Sequence, residues 1–374
     1  MKKILALMLS LALCVMVLAG CSGNGAGAGD AANMKVAMVT DYGDITDQSF
    51  NQTTYEACKA WAEANKVDFT YFKPQSNSDE DRVSMIEKAV DEGYTVIVMP
   101  GYAFAPAIEK TAGNYPDVTM IALDVSAGDF SADYKLPSNL YSAVYQEELC
   151  GYMAGYAAVK LGYTKLGFLG GMAVPAVIRY GYGFVQGCND AAVELGNASD
   201  VQVNYVYGGQ FFGDEAITAQ MDTWYSNGTE IVFACGGGIY TSACEAAQKV
   251  DGKVIGVDSD QSGTISQQYG DDSLCVTSAM KGLAPTVDTT LTDLFAGNWS
   301  NYAGKIENLG IVSGDDPSLN YVQLPTETWS MEKFTVDDYK DLVSKLYDGS
   351  ITVDNSTDKM PATEITVKEY DNIH

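Results

Sequence analysis

The residues able to do chemistry in this sequence fall at the ends of short apolar runs. "KVAMVT" is followed by Asp47, Phe50 and Asn51, and "MIALD" ends at Asp124. Further along, "NYVYGGQFFGD" carries Phe211 and Phe212, and "VFACGGG" ends in Gly236, Gly237 and Gly238. "VIGVDSDQS" supplies Asp258, and "VTSAMKG" supplies Lys281. A pair of aromatic rings can sandwich a flat heterocycle, each stack being worth about 1–3 kcal/mol. A carboxylate accepts two hydrogen bonds from a vicinal diol, or from ring NH and amino groups, and a lysine donates to a hydroxyl beside it. Glycines let a ligand approach the backbone. This inventory suits a nucleoside better than a bare sugar or an amino acid, because an amino acid calls for a strong carboxylate receptor and Arg82 and Arg179 are the only arginines. Local alternatives stay open: Phe50 as the first core residue of a helix, and Asp124 and Asp258 each as the N-cap of the next helix.

Several chemistries are weighed out by composition. The sole histidine is His374, which removes Ser-His-Asp and Cys-His catalysis and any ordinary His-liganded metal site. No cofactor and no metal are expected. "DSDQSG" places two carboxylates two residues apart, as a nucleoside hydrolase does, but the denser aspartate cluster such enzymes use to hold calcium is missing, so a binding protein is expected rather than an enzyme. Against 49 acidic residues stand 22 basic ones, a net charge of −27, which weighs against nucleic acid or anionic lipid as the partner. Cys58, Cys150, Cys188, Cys235, Cys244 and Cys275 are enough for three disulfides, but none lies in a CxxC pair and most sit in apolar contexts, so buried free thiols are expected.

The elements that position these residues read as alternating strands and amphipathic helices. "KVAMVT", "VDFTYFKP", "TVIVMPG", "VTMIALD", "KLGFLGG", "VQVNYVYG", "EIVFACGG", "KVIGVD" and "LCVTSA" read as strands, and most are near-continuous apolar runs, as in parallel sheets covered on both faces. Helical patterns such as "NQTTYEACKAWAEANK" and "DEAITAQMDTWYSNG" separate them, the signature of βαβ units. The chain also repeats itself: "EGYTVIVMPG" aligns with "NGTEIVFACG", and "VTMIALD" with "GKVIGVD", at nearly one offset. A duplicated α/β lobe follows, with ligating groups at the carboxyl ends of both sets of strands. Two such lobes face one another across a cleft.

The first twenty residues read as a signal: Lys2 and Lys3, then an apolar stretch, then Leu18-Ala19-Gly20-Cys21, which resembles the bacterial lipobox. Cys21 is the expected lipidation site, and the Gly/Ala/Ser-rich tract up to residue 33 a flexible tether.

"DQSFNQ", "GGMAVPAVIRYGYGFVQG", "VIGVDSDQS" and "TSAMKG", in that order, resemble the basic membrane protein family of substrate-binding lipoproteins, with its purine nucleoside receptors as the nearest match. The resemblance runs from about residue 34 to about residue 350. It implies the type I periplasmic-binding-protein fold: two Rossmann-like lobes, a three-segment hinge and a ligand closed between them. Lobe 1 would take residues 34–150 plus about 278–312, and lobe 2 about 151–277 plus about 313–350, with 351–374 as an extension. By motif, Phe50 would stack on the base with Asn51 bonding beside it, and Asp124 would read the polar edge of the purine. Phe212 would be the second stacking aromatic, with Phe211 the alternative. Asp258 and Lys281 would hold the ribose, with Gly236 to Gly238 contributing backbone. The expected partners are a nucleoside, an ABC permease and the membrane through the lipid anchor. The protein is expected to be a monomer on the extracytoplasmic face. Riboflavin-like or ribose-like ligands, or a surface receptor or adhesin role, are the alternatives. The "CGGGIYTSAC" segment departs from the family's usual Gly-Thr-Gly loop, which bears on the ribose-side contacts.

Overall fold

A computed structural model describes residues 33–374; the expected signal peptide and Cys21 lie outside the described residues. The apolar runs form two sheets. The first contains β1 (Lys35–Val39), β2 (Asp68–Phe72), β3 (Val96–Pro100), β4 (Thr119–Leu123), β5 (Leu140–Tyr145) and β11 (Lys305–Leu309), in the order β11-β5-β4-β3-β1-β2. The second contains β6 (Lys165–Gly170), β7 (Gln202–Tyr207), β8 (Ile231–Cys235), β9 (Lys253–Asp258), β10 (Cys275–Lys281), β12 (Val322–Gln323) and β13 (Thr366–Glu369), in the order β12-β10-β9-β8-β6-β7-β13. Every pairing is parallel except β10 with β12. The run β2-β1-β3-β4-β5 is matched by β7-β6-β8-β9-β10, so the sequence repeat is a repeat of topology. All five residues of β3 and of β8 are buried, which is why these strands read as unbroken apolar runs. The architecture is that of a type I periplasmic-binding protein.

The helices are α1 (Phe50–Asn65), α2 (Asp79–Asp91), α3 (Ala105–Thr111), α4 (Glu147–Lys160), α5 (Pro175–Leu195), α6 (Glu215–Ser226), α7 (Tyr240–Ala247), α8 (Ser262–Tyr269), α9 (Leu283–Phe295) and α10 (Val336–Tyr347). Among the described residues none is long and apolar enough to cross a membrane. The six cysteines of the described residues are all buried and free, each filling a core position.

The chain passes between the sheets after β5, after β10 and after β11. β10 stays in register with β9 as far as Met280, so the second crossing falls near Gly282. α4 packs against α5 and β10, which puts the first crossing just before Glu147. Within residues 351–374, β13 adds an edge strand beside β7. β5, "LYSAVY", escaped the strand reading because Ser142 interrupts its apolar pattern; the Ser142 hydroxyl donates to the Val125 carbonyl at 2.6 Å and so is tolerated in the core.

α4 and α5 cross in backbone contact. Gly151 and Gly155 on α4 lie against the backbone of Tyr180, Phe184 and Cys188 on α5, and Gly183 and Gly187 on α5 lie against that of Glu148 and Tyr152. A methyl on Gly183 would run into the Glu148 carbonyl. Gly183→Ala is therefore expected to lower stability by about 1–3 kcal/mol. Urea midpoints check this, with Gly113→Ala as the neutral control because a methyl there meets open space.

Candidate functional site

The carboxyl ends of the two sets of strands face one another across a cavity of about 400 Å3. Asp47, Phe50, Asn51, Asp124, Phe211, Phe212, Gly236, Gly237, Gly238, Asp258 and Lys281 all line it. Segments as far apart in the chain as Asp47 and Lys281 meet here because parallel βαβ topology delivers every strand end to the same edge of its sheet.

Asp124 and Asp258 occupy equivalent positions of the two repeats, just beyond β4 and at the end of β9. Both hold left-handed backbone, with φ of 63° and 64°. Such geometry is uncommon for a residue with a side chain and is retained only where the surroundings enforce it. Neither caps a helix: Ser126 caps the turn after Asp124, and α8 starts beyond Gln261. Their carboxylates turn inward instead. Asp258 Oδ2 accepts from Ser49 Oγ at 2.6 Å, and Asp124 Oδ2 accepts from Lys281 Nζ at 2.6 Å.

Lys281 is the centre of a buried ionic chain. Its ammonium is also 3.0 Å from Glu147 Oε1, and Glu147 Oε2 accepts from Arg179 Nε at 2.6 Å. The rings of Phe50, Tyr145 and Tyr180 stand 5.3, 5.4 and 5.5 Å from the ammonium. Burial works against the charge on Lys281, but Asp124, Glu147 and Asp258 outweigh it and hold the lysine protonated. Burial pushes the Asp124 carboxyl up to about 6, with Lys281 opposing and Glu147 adding to the rise. Asp124 Oδ1 and Asn51 Oδ1 are buried without a hydrogen-bond partner. Buried polar atoms are nearly always satisfied, so these two acceptors, on residues lining the cavity, suit a donor from a bound molecule.

Three expectations change in detail. The Asp47 carboxylate is taken up by the backbone: it accepts from the amides of Ser49, Asn51 and Gln52 at 2.9, 2.9 and 3.0 Å. These are the unsatisfied N–H groups of the start of α1, so Asp47 caps that helix rather than offering a free carboxylate to a ligand. Phe50 fills both roles considered for it, being the first residue of α1, packed against the core, and a wall of the cavity. Phe211 and Phe212 both line the cavity but differ in support. The Phe211 ring lies over Gly171 and Gly236, which leave room for it, whereas Phe212 is 57% exposed.

Glu147, Arg179, Tyr180 and Tyr42 belong to the site but were not singled out for it from the sequence. Recognising β5 as a strand would have nominated Glu147 by the strand-end rule. Arg179 sits within α5, where no strand-end signal points to it. The lobes also touch at the cavity's rim. The Gln48 carbonyl accepts from Gln261 Nε2 at 3.0 Å and Ser259 Oγ at 3.3 Å, and Thr264 Oγ1 donates to the Gln48 side chain at 3.1 Å.

Two similar α/β lobes with a ligand-sized cavity between their strand ends define a solute-binding protein. The chain belongs to the Bmp family, the PnrA-like ABC transporter substrate-binding proteins, whose model matches residues 34–353. The substrates of this family are delivered to an ABC transporter, so a small-molecule ligand and a permease are the partners that membership implies. The chain is 30% identical over 293 residues to the ABC transporter nucleoside-binding protein BmpA of Lactococcus lactis, covering 73% of this chain and 78% of the relative. It is 29% identical over 320 residues to basic membrane protein A of Borreliella burgdorferi, covering 84% of this chain and 86% of the relative. Solute-binding proteins of ABC transporter systems from Aeropyrum pernix and Conexibacter woesei share the fold. Each superposes with a TM-score of 0.65 at 21% identity; the first covers 85% of this chain and 87% of its own, the second 86% and 99%.

Proposed function

We propose that this protein captures purine nucleosides in the cleft between its lobes and delivers them to an ABC importer from the extracytoplasmic face of the membrane, held there by acyl chains on Cys21. The observation that carries the reading is the opposition of aromatic walls and paired carboxylates in one cavity: Phe50 on one side, Phe211 and Phe212 on the other, with Asp124, Asp258 and Lys281 between them. A volume of about 400 Å3 lies in the size class of small-molecule sites, which run from about 300 to 1,000 Å3. The base stacks between the rings, the buried acceptor of Asp124 takes a ring NH or amino donor, and Asp258 with Lys281 takes the ribose diol. Contacts that only the shut cleft completes bias the lobes toward closure when ligand binds. The nucleoside-binding name of the Lactococcus relative supports the same ligand class. The working species is a monomer.

Isothermal titration with inosine, guanosine, adenosine and cytidine tests the reading. Micromolar or tighter binding of purine nucleosides is expected. No binding tighter than millimolar to any of the four would sink it, and competition by riboflavin or ribose would reassign the ligand. Phe50→Ala is expected to weaken inosine binding by about 1–3 kcal/mol. Because Phe50 also packs on the core, its melting temperature without ligand should fall slightly. A large fall in melting temperature with unchanged affinity would make Phe50 a core residue only. Mass spectrometry of the membrane-extracted protein, showing an acylated Cys21 as the first residue, tests the anchor.

A further inference from the structure

The family match ends at residue 353, yet the chain continues along the second sheet to the wall of the cleft. β13 runs parallel to β7, from Thr366 opposite Gln202 to Glu369 opposite Tyr205. The pairing goes on beyond the strand: the Tyr370 amide donates to the Tyr205 carbonyl at 2.9 Å, and the Ile373 amide to the Tyr207 carbonyl at 3.0 Å. Ile365 is buried, the Tyr370 ring lies 5.4 Å from Trp224, and Ile373 packs on the same cluster. The segment is thereby carried to the carboxyl end of β7, where residues 208–214 leave for the cavity and present Phe211 and Phe212.

At that point His374 Nε2 is 2.8 Å from Asp214 Oδ2. The same oxygen accepts from Gln210 Nε2 at 2.8 Å, and Gln210 Nε2 also reaches the Phe212 carbonyl at 3.2 Å. Asp214 Oδ1 caps α6 by accepting from the Ile217 amide at 2.9 Å. Gly209 has φ of 83°, and a methyl there would collide with His374. Phe212, more than half exposed, has little packing of its own to hold it. An exposed ring makes a rigid stacking wall only if its backbone is held in place beforehand.

We propose that residues 354–374 form a strap that holds the 208–214 loop in its binding geometry, with His374 and Asp214 as positioning residues for the Phe211–Phe212 wall. The proposal rests on the reading of the cavity as the nucleoside cleft, and its test separates the two. In the full chain, His374→Ala is expected to speed hydrogen exchange of the 209–214 amides in the unliganded protein. It should also weaken inosine binding about tenfold, the scale of one lost hydrogen bond to a charged group. The urea midpoint should barely move, since the contact is at the surface. His374→Gln, which keeps a donor at the same reach, should restore exchange protection and bring affinity to within about twofold of the parent. Deletion of residues 366–374 should change exchange and affinity in the same direction as His374→Ala, and further. Unchanged exchange and affinity in both His374→Ala and the deletion overturn the strap. So does a loss of protection spread evenly over the whole second sheet. A parent protein that does not bind inosine overturns the nucleoside reading, while the exchange measurement still decides the strap.

Discussion

Lys281→Met is expected to destabilise the unliganded protein by about 3–5 kcal/mol near neutral pH, the cost of removing one partner from a buried ion pair. Lys281 and its partners have almost no contact with water: the side chains of Lys281, Asp124 and Glu147 are 3%, 10% and 0% exposed. Methionine fills much of the lysine's volume, so the loss is electrostatic rather than a cavity. It leaves Asp124 without its ion-pair partner, while Glu147 keeps Arg179. Two controls follow from that asymmetry. Adding Asp124→Asn to Lys281→Met should return part of the stability, and acidification should narrow the gap to the parent as the stranded carboxylates take up protons. Urea unfolding at several pH values reads both. A midpoint equal to that of the parent would mean the chain of charges is solvated and holds nothing together. Inosine affinity should fall as well if Lys281 donates to the ribose as proposed.

The second large effect runs the other way. Glu148 is buried in the first turn of α4, its Oε2 has no partner, and burial, assisted by Glu147, raises its carboxyl from 4.5 to about 7. In the folded protein the proton is therefore kept over a range where the unfolded chain has lost it. Below the unfolded value the group costs nothing; as pH rises from the unfolded to the folded value the unfolded chain sheds a proton that the dry site keeps, and stability is lost until Glu148 ionises in place. Glu148→Gln should thus match the parent near pH 4 and become more stable through pH 5 to 7. Above pH 7.5 its advantage should level off at up to about 3 kcal/mol. Asp124 shifts in the same direction, but its contribution cancels in the difference between the two proteins. A difference that is flat with pH would show that Glu148 titrates as an exposed carboxyl does. The persistence of an unpaired acid beside Glu147 is the kind of local conflict that natural sequences retain near functional sites.

Much of the site was legible because two local signals agreed. Apolar runs of strand length located the strand ends, and the repeat of those runs placed two sets of ends in opposition. Phe50, Asp124, Asp258 and Lys281 reached the cavity from that reasoning alone. Asp47 was read as a ligand group although a carboxylate three residues before a helix can also serve its N-terminus; only the amide positions decide between the two. Glu147 was hidden because β5 breaks the apolar pattern, and Arg179 because helices carry no strand-end signal.

The amino-acid sequence by itself determined the class of fold, the duplication and the chemical character of the cleft, since each rests on composition, on periodicity within about ten residues or on the recurrence of whole strand runs along the chain. Tertiary structure alone decided which charges meet. Lys281 pairs with Asp124 across 157 positions, Ser49 with Asp258 across 209, and His374 with Asp214 across 160. The crossing points of the hinge and the path of residues 354–374 along β7 were likewise tertiary outcomes. Partners so far apart are set by which strand ends share an edge and which helices can touch, and no local pattern encodes that.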